Sequence, residues 1–321
     1  MSSSAAPQSP VFLDAGAIAR HLPWPALIDA LAEAFRCGVT APPRDHHALD
    51  PATGAVLLVM PAWSAALGVG TKLVTVFPRN GERGLPSIHG VYVLIDAATG
   101  RPLAVLDGGE LTARRTAAAS ALASRFLSRT DSRMLLMIGT GRLARYLPPA
   151  HAAVRPIERV LVWGRSPARA EAAAADLRGA GLAASVIADV EAAAAEADIV
   201  SCATLARAPL FSGAKLRPGA HVDLVGAFTP TMREADDATL ARATAVWTDT
   251  LDSALAEGGD LVQALASGAL ARERVRGGLA ELCRAGAPPP RGGNDITVYK
   301  SVGAAIEDLA AAHLCLSRYA C

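Results

Sequence analysis

RMLLMIGTGRLA, residues 133–144, is the stretch on which the reading of this chain turns. Its first half is a short apolar run without alternation, the pattern of a parallel strand buried on both faces. Gly139-Thr140-Gly141-Arg142-Leu143-Ala144 follows at once and spells G-x-G-x-x-A. In that setting the first glycine allows a tight turn and the second lets backbone approach a pyrophosphate. The small Ala144 lets helix and strand pack closely, and unpaired N–H groups at a helix start face the phosphates. Glycine-rich turns are common, so context must support the motif. Here ERVLVWG, PARAEAAAADLRG, AASVIA, VEAAAAEA, DIVSCAT and HVDLVGA continue the chain as alternating strand and helix patterns. That alternation describes an α/β, doubly wound parallel (Rossmann) sheet, with Gly139, Gly141, Arg142 and Leu143 as candidate cofactor-binding residues. Pro148-Pro149 falls inside the expected helix, which must therefore kink or be short.

The second strand bears on cofactor choice. An NAD site places an acid there for the ribose 2′-hydroxyl, whereas this chain has Trp163-Gly164-Arg165-Ser166. A guanidinium and a hydroxyl suit a 2′-phosphate, so NADP(H) is expected in preference to NAD(H), with Arg165 and Ser166 as contacts.

The chain as a whole has 321 residues, 51% hydrophobic, with 31 Lys+Arg against 30 Asp+Glu. The near-neutral balance argues against a nucleic-acid binder, and 4% aromatic residues argue against stacking platforms. The five cysteines show no paired or metal-ligand spacing, and no histidine pair does either, so neither a disulfide framework nor a metal is expected. Cys202 reads as a small buried residue. MSSSAAPQSP lacks the features of a secretory signal. Pro51 to Thr71 is uncharged and long enough to span a bilayer, but its prolines and glycines make it a buried strand pair. A cytoplasmic protein with no membrane partner is expected.

Residues 1–130 read as α+β. Asp14 caps a first helix, Pro25 opens ALIDALAEAF, and Gly38 ends it. Strands at 56–60, 71–77 and 90–96 follow, with a hairpin turn at AATG and then an Ala-rich helix. Thr250 to Gly278 reads as helical. The segment from DITVYKSVG to the end begins as a strand and becomes a helix, free to return to either half. Lys72 in an apolar strand and Arg115 in an Ala-rich helix are cations that either snorkel or await an anion.

The fragments PPR (42–44), GTKLV (70–74), GLPS (84–87), ARRTAAASALA (113–123), GTGRLA and TVYKSVGAAIED (297–308) together resemble the ornithine cyclodeaminase/mu-crystallin family over nearly the whole chain. The resemblance implies a substrate-binding and dimerisation domain of residues 1–130 with 294–321, a Rossmann domain of 131–293, and a homodimer. It implies that Arg44, Lys72 and Arg115 hold the substrate carboxylate and act in catalysis. Ser87, Thr204 and Ser301 would lie near the cofactor and Val302 near the substrate. Two guanidiniums and an ammonium make a carboxylate clamp, able to orient an α-imino acid.

One departure sharpens the expectation. The family's cyclodeaminases and alanine dehydrogenases carry an aspartate after the strand HVDLVGA, where this chain has Phe228 on the substrate side. A phenyl ring cannot exchange a proton or orient water. The departure resembles the ketimine-reductase branch, which implies NADPH-dependent reduction of 1-pyrroline-2-carboxylate or 1-piperideine-2-carboxylate, with Lys72 as the acid. Glu234 and Asp236, the nearest carboxylates in sequence, read as solvated or helix-capping. Cyclodeamination, alanine-dehydrogenase-like amino acid oxidation, and NADP-bound small-molecule binding like that of mu-crystallin remain as alternatives.

Overall fold

The computed structural model describes residues 9–320. The chain forms two compact units, one running to Arg115 and resuming at Ala304, the other Thr116–Gly303.

The first unit opens with β1 (Val11–Leu13), α1 (Ala15–His21) and α2 (Trp24–Cys37). Asp14 caps α1 by accepting from the Ala17 N–H at 2.7 Å, and Gly38, at φ 84°, ends α2. Leu27, Ile28, Leu31 and Phe35 recur at helical spacing and are the buried stripe of α2. Strands β2 (Asp45–Asp50), β3 (Ala55–Ser64), β4 (Gly68–Val76), β5 (Ile88–Ile95) and β6 (Pro102–Asp107) complete a six-stranded sheet ordered β1-β6-β5-β4-β3-β2. Only β1 joins it in parallel. The uncharged stretch 51–71 lies in the β3–β4 hairpin, whose register sets Met60 beside Lys72, and Lys72 beside Tyr92. Alternation puts these three on the buried face, against the C-terminal helix Ala305–Tyr319. The opposite face presents apolar rows, Val59–Leu73–Val91 and Trp63–Val69–Ile95. Leu73, Val91 and Trp63 on it are exposed.

Helix α3 (Gly108–Leu127) crosses the unit boundary. The second unit then alternates β7 (Met134–Ile138), α4 (Leu147–Ala152), β8 (Arg159–Trp163), α5 (Pro167–Gly179), β9 (Ala184–Val186), α6 (Val190–Glu196) and β10 (Ile199–Cys202). After β11 (Arg207–Phe211) come β12 (His221–Leu224), β13 (Arg233–Ala235), α7 (Asp237–Arg242) and β14 (Ala243–Thr248). The unit ends with α8 (Leu251–Glu257), α9 (Gly259–Ser267), β15 (Val275–Gly278), α10 (Leu279–Ala285) and β16 (Ile296–Lys300); the C-terminal helix is α11. Its eight-stranded sheet is ordered β15-β14-β16-β12-β10-β7-β8-β9 and is parallel throughout. The α/β class, a Rossmann sheet in one unit and an α+β arrangement in the other, is as expected.

Three details add to the sequence reading. The two units divide at Arg115/Thr116 and Gly303/Ala304. The later half of α3 is tied into the second unit, where Ser120 donates to Asp223 at 2.9 Å and Arg155 donates to the Ser124, Arg125 and Ser128 carbonyls. Strand β16 inserts between β12 and β14, so only the helix after it returns to the first unit. Within 250–278, the last residues form edge strand β15, whose two glycines hide its strand character. Finally, the helix that carries Pro148-Pro149 is short, as expected. The chain makes a 3₁₀ turn at Arg142–Arg145 and restarts as α4 at Leu147, so both prolines sit in a first turn that needs no N–H.

Candidate active site

In the first unit, β4, α3 and α11 bring together four buried charges. Lys72 Nζ donates to Asp308 Oδ2 at 2.7 Å. Arg115 donates through Nε to Asp308 Oδ1 at 3.0 Å and through Nη1 to Glu307 Oε2 at 2.5 Å. All four are at most 4% exposed. The two cations therefore neither snorkel nor stand alone, since α11 supplies their counter-charges, without which burial would be prohibitive. Burial pushes the Lys72 ammonium down to about 8, helped by the Arg115 and Arg44 charges and opposed by Asp308. Arg115 is held firmly charged, because Asp308 and Glu307 outweigh the burial acting against it. Arg44 is half-buried, and its charge also bears on Lys72. Tyr92 faces the same cluster, its phenol raised by burial and by Asp308. Gly70 leaves room for it, since a Cβ there would strike the Tyr92 hydroxyl. Ser87 lies in the same unit just before β5, half-buried, its carbonyl accepting from the Phe77 N–H at 2.8 Å.

Glu307 and Asp308 are the functional residues that sequence reasoning missed. Their signal was the mirror of Lys72's: two adjacent acids inside the apolar run GAAIEDLAAAHL.

The second unit carries the dinucleotide elements. Gly139 has φ 120°, and a Cβ on it would come within 2.5 Å of the Ala203 carbonyl oxygen. A Cβ on Gly141 would meet nothing within 4 Å, leaving its backbone open to a ligand. Gly164 is glycine because any Cβ would collide with the Thr140 side chain. Beside this loop opens a cleft of about 370 Å³ lined by Thr140, Gly141, Arg142, Arg145 and Arg169, among others. Arg142 is exposed, Leu143 half-buried and Ala144 buried. The strand order reverses at β7/β10, the place where doubly wound sheets bind ligands. A positive-φ glycine, an open second glycine and cationic walls fit a dinucleotide pyrophosphate.

The remaining predicted residues are also in this unit. The Thr204 N–H and hydroxyl both donate to Glu234 Oε1, at 2.7 and 2.8 Å. Ser301 is buried, and the Val302 and Gly303 N–H groups donate to Asp249 Oδ2 at 2.7 and 2.6 Å. Phe228 is 38% exposed in the loop after β12. Asp236 caps α7 as expected, accepting from the Thr239 N–H. Glu234 is neither solvated nor a cap. It is fully buried, and burial pushes its carboxyl up to about 7 against the pull of Lys300.

The ornithine cyclodeaminase/mu-crystallin family profile matches residues 9–320. A Delta(1)-pyrroline-2-carboxylate reductase of Paracoccus denitrificans is 43% identical over 305 residues, 94% of each chain. The solved Delta(1)-pyrroline-2-carboxylate reductase of Thermococcus litoralis, in complex with NADH and L-proline, superposes with a TM-score of 0.90 at 29% identity over 97% of both chains. The iminosuccinate reductase of Paracoccus denitrificans, in complex with NAD+, gives 0.85 at 27% identity over 97% of this chain and 96% of that one. These non-phosphorylated cofactors overturn the expectation of NADP(H). In this chain Arg165 is exposed, and the Ser166 hydroxyl caps α5 by accepting from the Arg169 N–H.

Proposed function

The chain belongs to the ornithine cyclodeaminase/mu-crystallin family, and on that premise we propose that it reduces cyclic imino acids of the 1-pyrroline-2-carboxylate and 1-piperideine-2-carboxylate class to the cyclic amino acids, using NADH. The observation that carries the reading is Lys72, a buried ammonium brought down to about 8 and aligned by Asp308. A donor of that strength is matched to protonating an imine nitrogen near neutral pH.

Gly139, Gly141, Arg142 and Leu143 would hold the pyrophosphate, and Ser87, Thr204 and Ser301 the neighbouring parts of the cofactor. When bound, the reduced nicotinamide supplies the hydride that C2 of the ring accepts. Arg44 and Arg115 bind the substrate carboxylate. Arg115 has engaged Nε and Nη1 internally, and its Nη2 group carries two further donors. Their grip fixes the plane of the ring. Lys72 passes a proton to the ring nitrogen as the C=N bond is reduced, and recovers one from water. Asp308 keeps the ammonium pointed and Arg115 in place throughout.

Phe228 supports the reductase branch over ammonia release. Its loop presents no carboxylate for imine hydrolysis, and Glu234, the acid nearest in sequence, is consumed by backbone donors. We further propose a homodimer formed through the open sheet face of the first unit, where Trp63, Leu73 and Val91 are exposed together. A cytoplasmic location agrees with the free thiols Cys37, Cys202, Cys283 and Cys315; no helix among the described residues is long and apolar enough to cross a membrane.

Purified protein with NADH and either imine should consume absorbance at 340 nm. No consumption, together with ammonia release from ornithine, would replace the reductase reading by a cyclodeaminase one.

A further inference from the structure

We propose that Glu234 is a positioning residue that sets the nicotinamide half of the dinucleotide site, an inference that rests on the dinucleotide reading above. Its carboxylate bridges two loops. Oε1 accepts from the Thr204 N–H and hydroxyl after β10, and Oε2 accepts from the Gly226 N–H after β12 at 2.7 Å. These loops follow the two strands beyond the reversal of strand order, the side over which the second half of a dinucleotide lies.

The bridge is tightly built. A Cβ on Gly226 would collide with the Thr204 backbone and approach Glu234 Oε1, so the loops cross at a glycine. The 203–204 backbone is also what the first glycine of the phosphate loop rests against, through the Ala203 carbonyl oxygen. Beneath, Asp260 Oδ1 accepts from the N–H groups of Glu234 and Ala235 at 2.7 and 2.9 Å, and Asp260 Oδ2 faces Lys300 Nζ at 3.2 Å. Glu234, Asp260 and Lys300 are each 0% exposed.

Three donors converging on one side chain are all met only when both of its oxygens accept. A glutamine would turn its own N–H₂ toward one of them and leave a buried donor unmet. Buried ionic groups are a costly way to join two loops when apolar packing would serve. The geometry they enforce at Thr204 and Gly226 accounts for their presence.

The test is calorimetric titration of wild type and Glu234→Gln with NADH and with ADP-ribose, which lacks the nicotinamide half. The expected result is an NADH Kd raised about tenfold or more in the variant, with ADP-ribose affinity within about twofold of wild type. Unchanged NADH affinity would overturn the proposal, as would equal weakening of both ligands, which marks a merely structural role. If E234Q does not fold, Glu234→Asp takes its place. It keeps the charge but loses the reach to span both loops, and folded E234D with wild-type NADH affinity would also overturn the proposal. Wild-type protein that bound neither ligand would instead sink the dinucleotide reading itself.

Discussion

Replacing Asp308 by asparagine removes the counter-charge shared by Lys72 and Arg115 while keeping the side chain's shape. Asp308 holds Lys72 at 2.7 Å and Arg115 at 3.0 Å, and it is the group that opposes burial and the arginine charges in setting the Lys72 pKa at about 8. A hydrogen bond to a charged group contributes roughly 1.5–3 kcal/mol, equivalent to about one to two pKa units. Lys72 would then titrate at about 6–7. At pH 7.5 its protonated fraction falls from roughly three-quarters to between about a quarter and a few per cent. Loss of proton donation alone should therefore lower kcat/KM about 3- to 25-fold at that pH, with misorientation adding to it. The assay is kcat/KM for 1-pyrroline-2-carboxylate from pH 5.5 to 9. The sign is fixed, because an acid must be protonated: activity falls as pH rises through the Lys72 pKa. The wild-type alkaline limb should lie near 8 and that of D308N one to two units lower, with partial recovery below pH 6. A folded D308N whose limb still lies near 8 would refute the assignment of Lys72 and Asp308.

Three other perturbations have definite outcomes. Gly139→Ala forces a side chain onto φ 120° and toward the Ala203 carbonyl oxygen at 2.5 Å; isothermal titration should find no NADH binding by folded protein. Arg155→Ala uncaps the end of α3, leaving the Ser124, Arg125 and Ser128 carbonyls without that donor. About 3 kcal/mol of stability should be lost, seen as a Tm lowered by several degrees. Leu73→Glu places a charge in the apolar row Val59–Leu73–Val91, and light scattering should then find monomer where wild type is dimeric.

The fold was legible where its signals are local. GTGRLA after an apolar strand marked the phosphate loop because turn, backbone approach and helix contact all lie within six residues. Asp14 and Gly38 likewise marked helix ends through local chemistry. Lys72 and Arg115 stood out as lone cations in apolar runs, but their partners did not. Asp308 is 236 and 193 positions away from them, a pairing that only the packing of α11 on the sheet creates. Glu234 sits in MREADD, which reads as surface; the placement of β13 over Asp260 buries it. The insertion of β16 between β12 and β14 leaves no mark in that strand's own residues. The NADP(H) expectation rested on Arg165 and Ser166 alone, and an exposed arginine beside a helix-capping serine is equally an ordinary strand end.

The central claim is that the imine carbon receives a hydride from NADH while this chain's acid protonates the nitrogen. It is tested most directly by supplying 1-pyrroline-2-carboxylate with NADH deuterated at both C4 positions and analysing the product by mass spectrometry. The account predicts proline one mass unit heavier than unlabelled, with the deuterium at Cα. Unlabelled proline, or no proline while NADH binds normally, would contradict it.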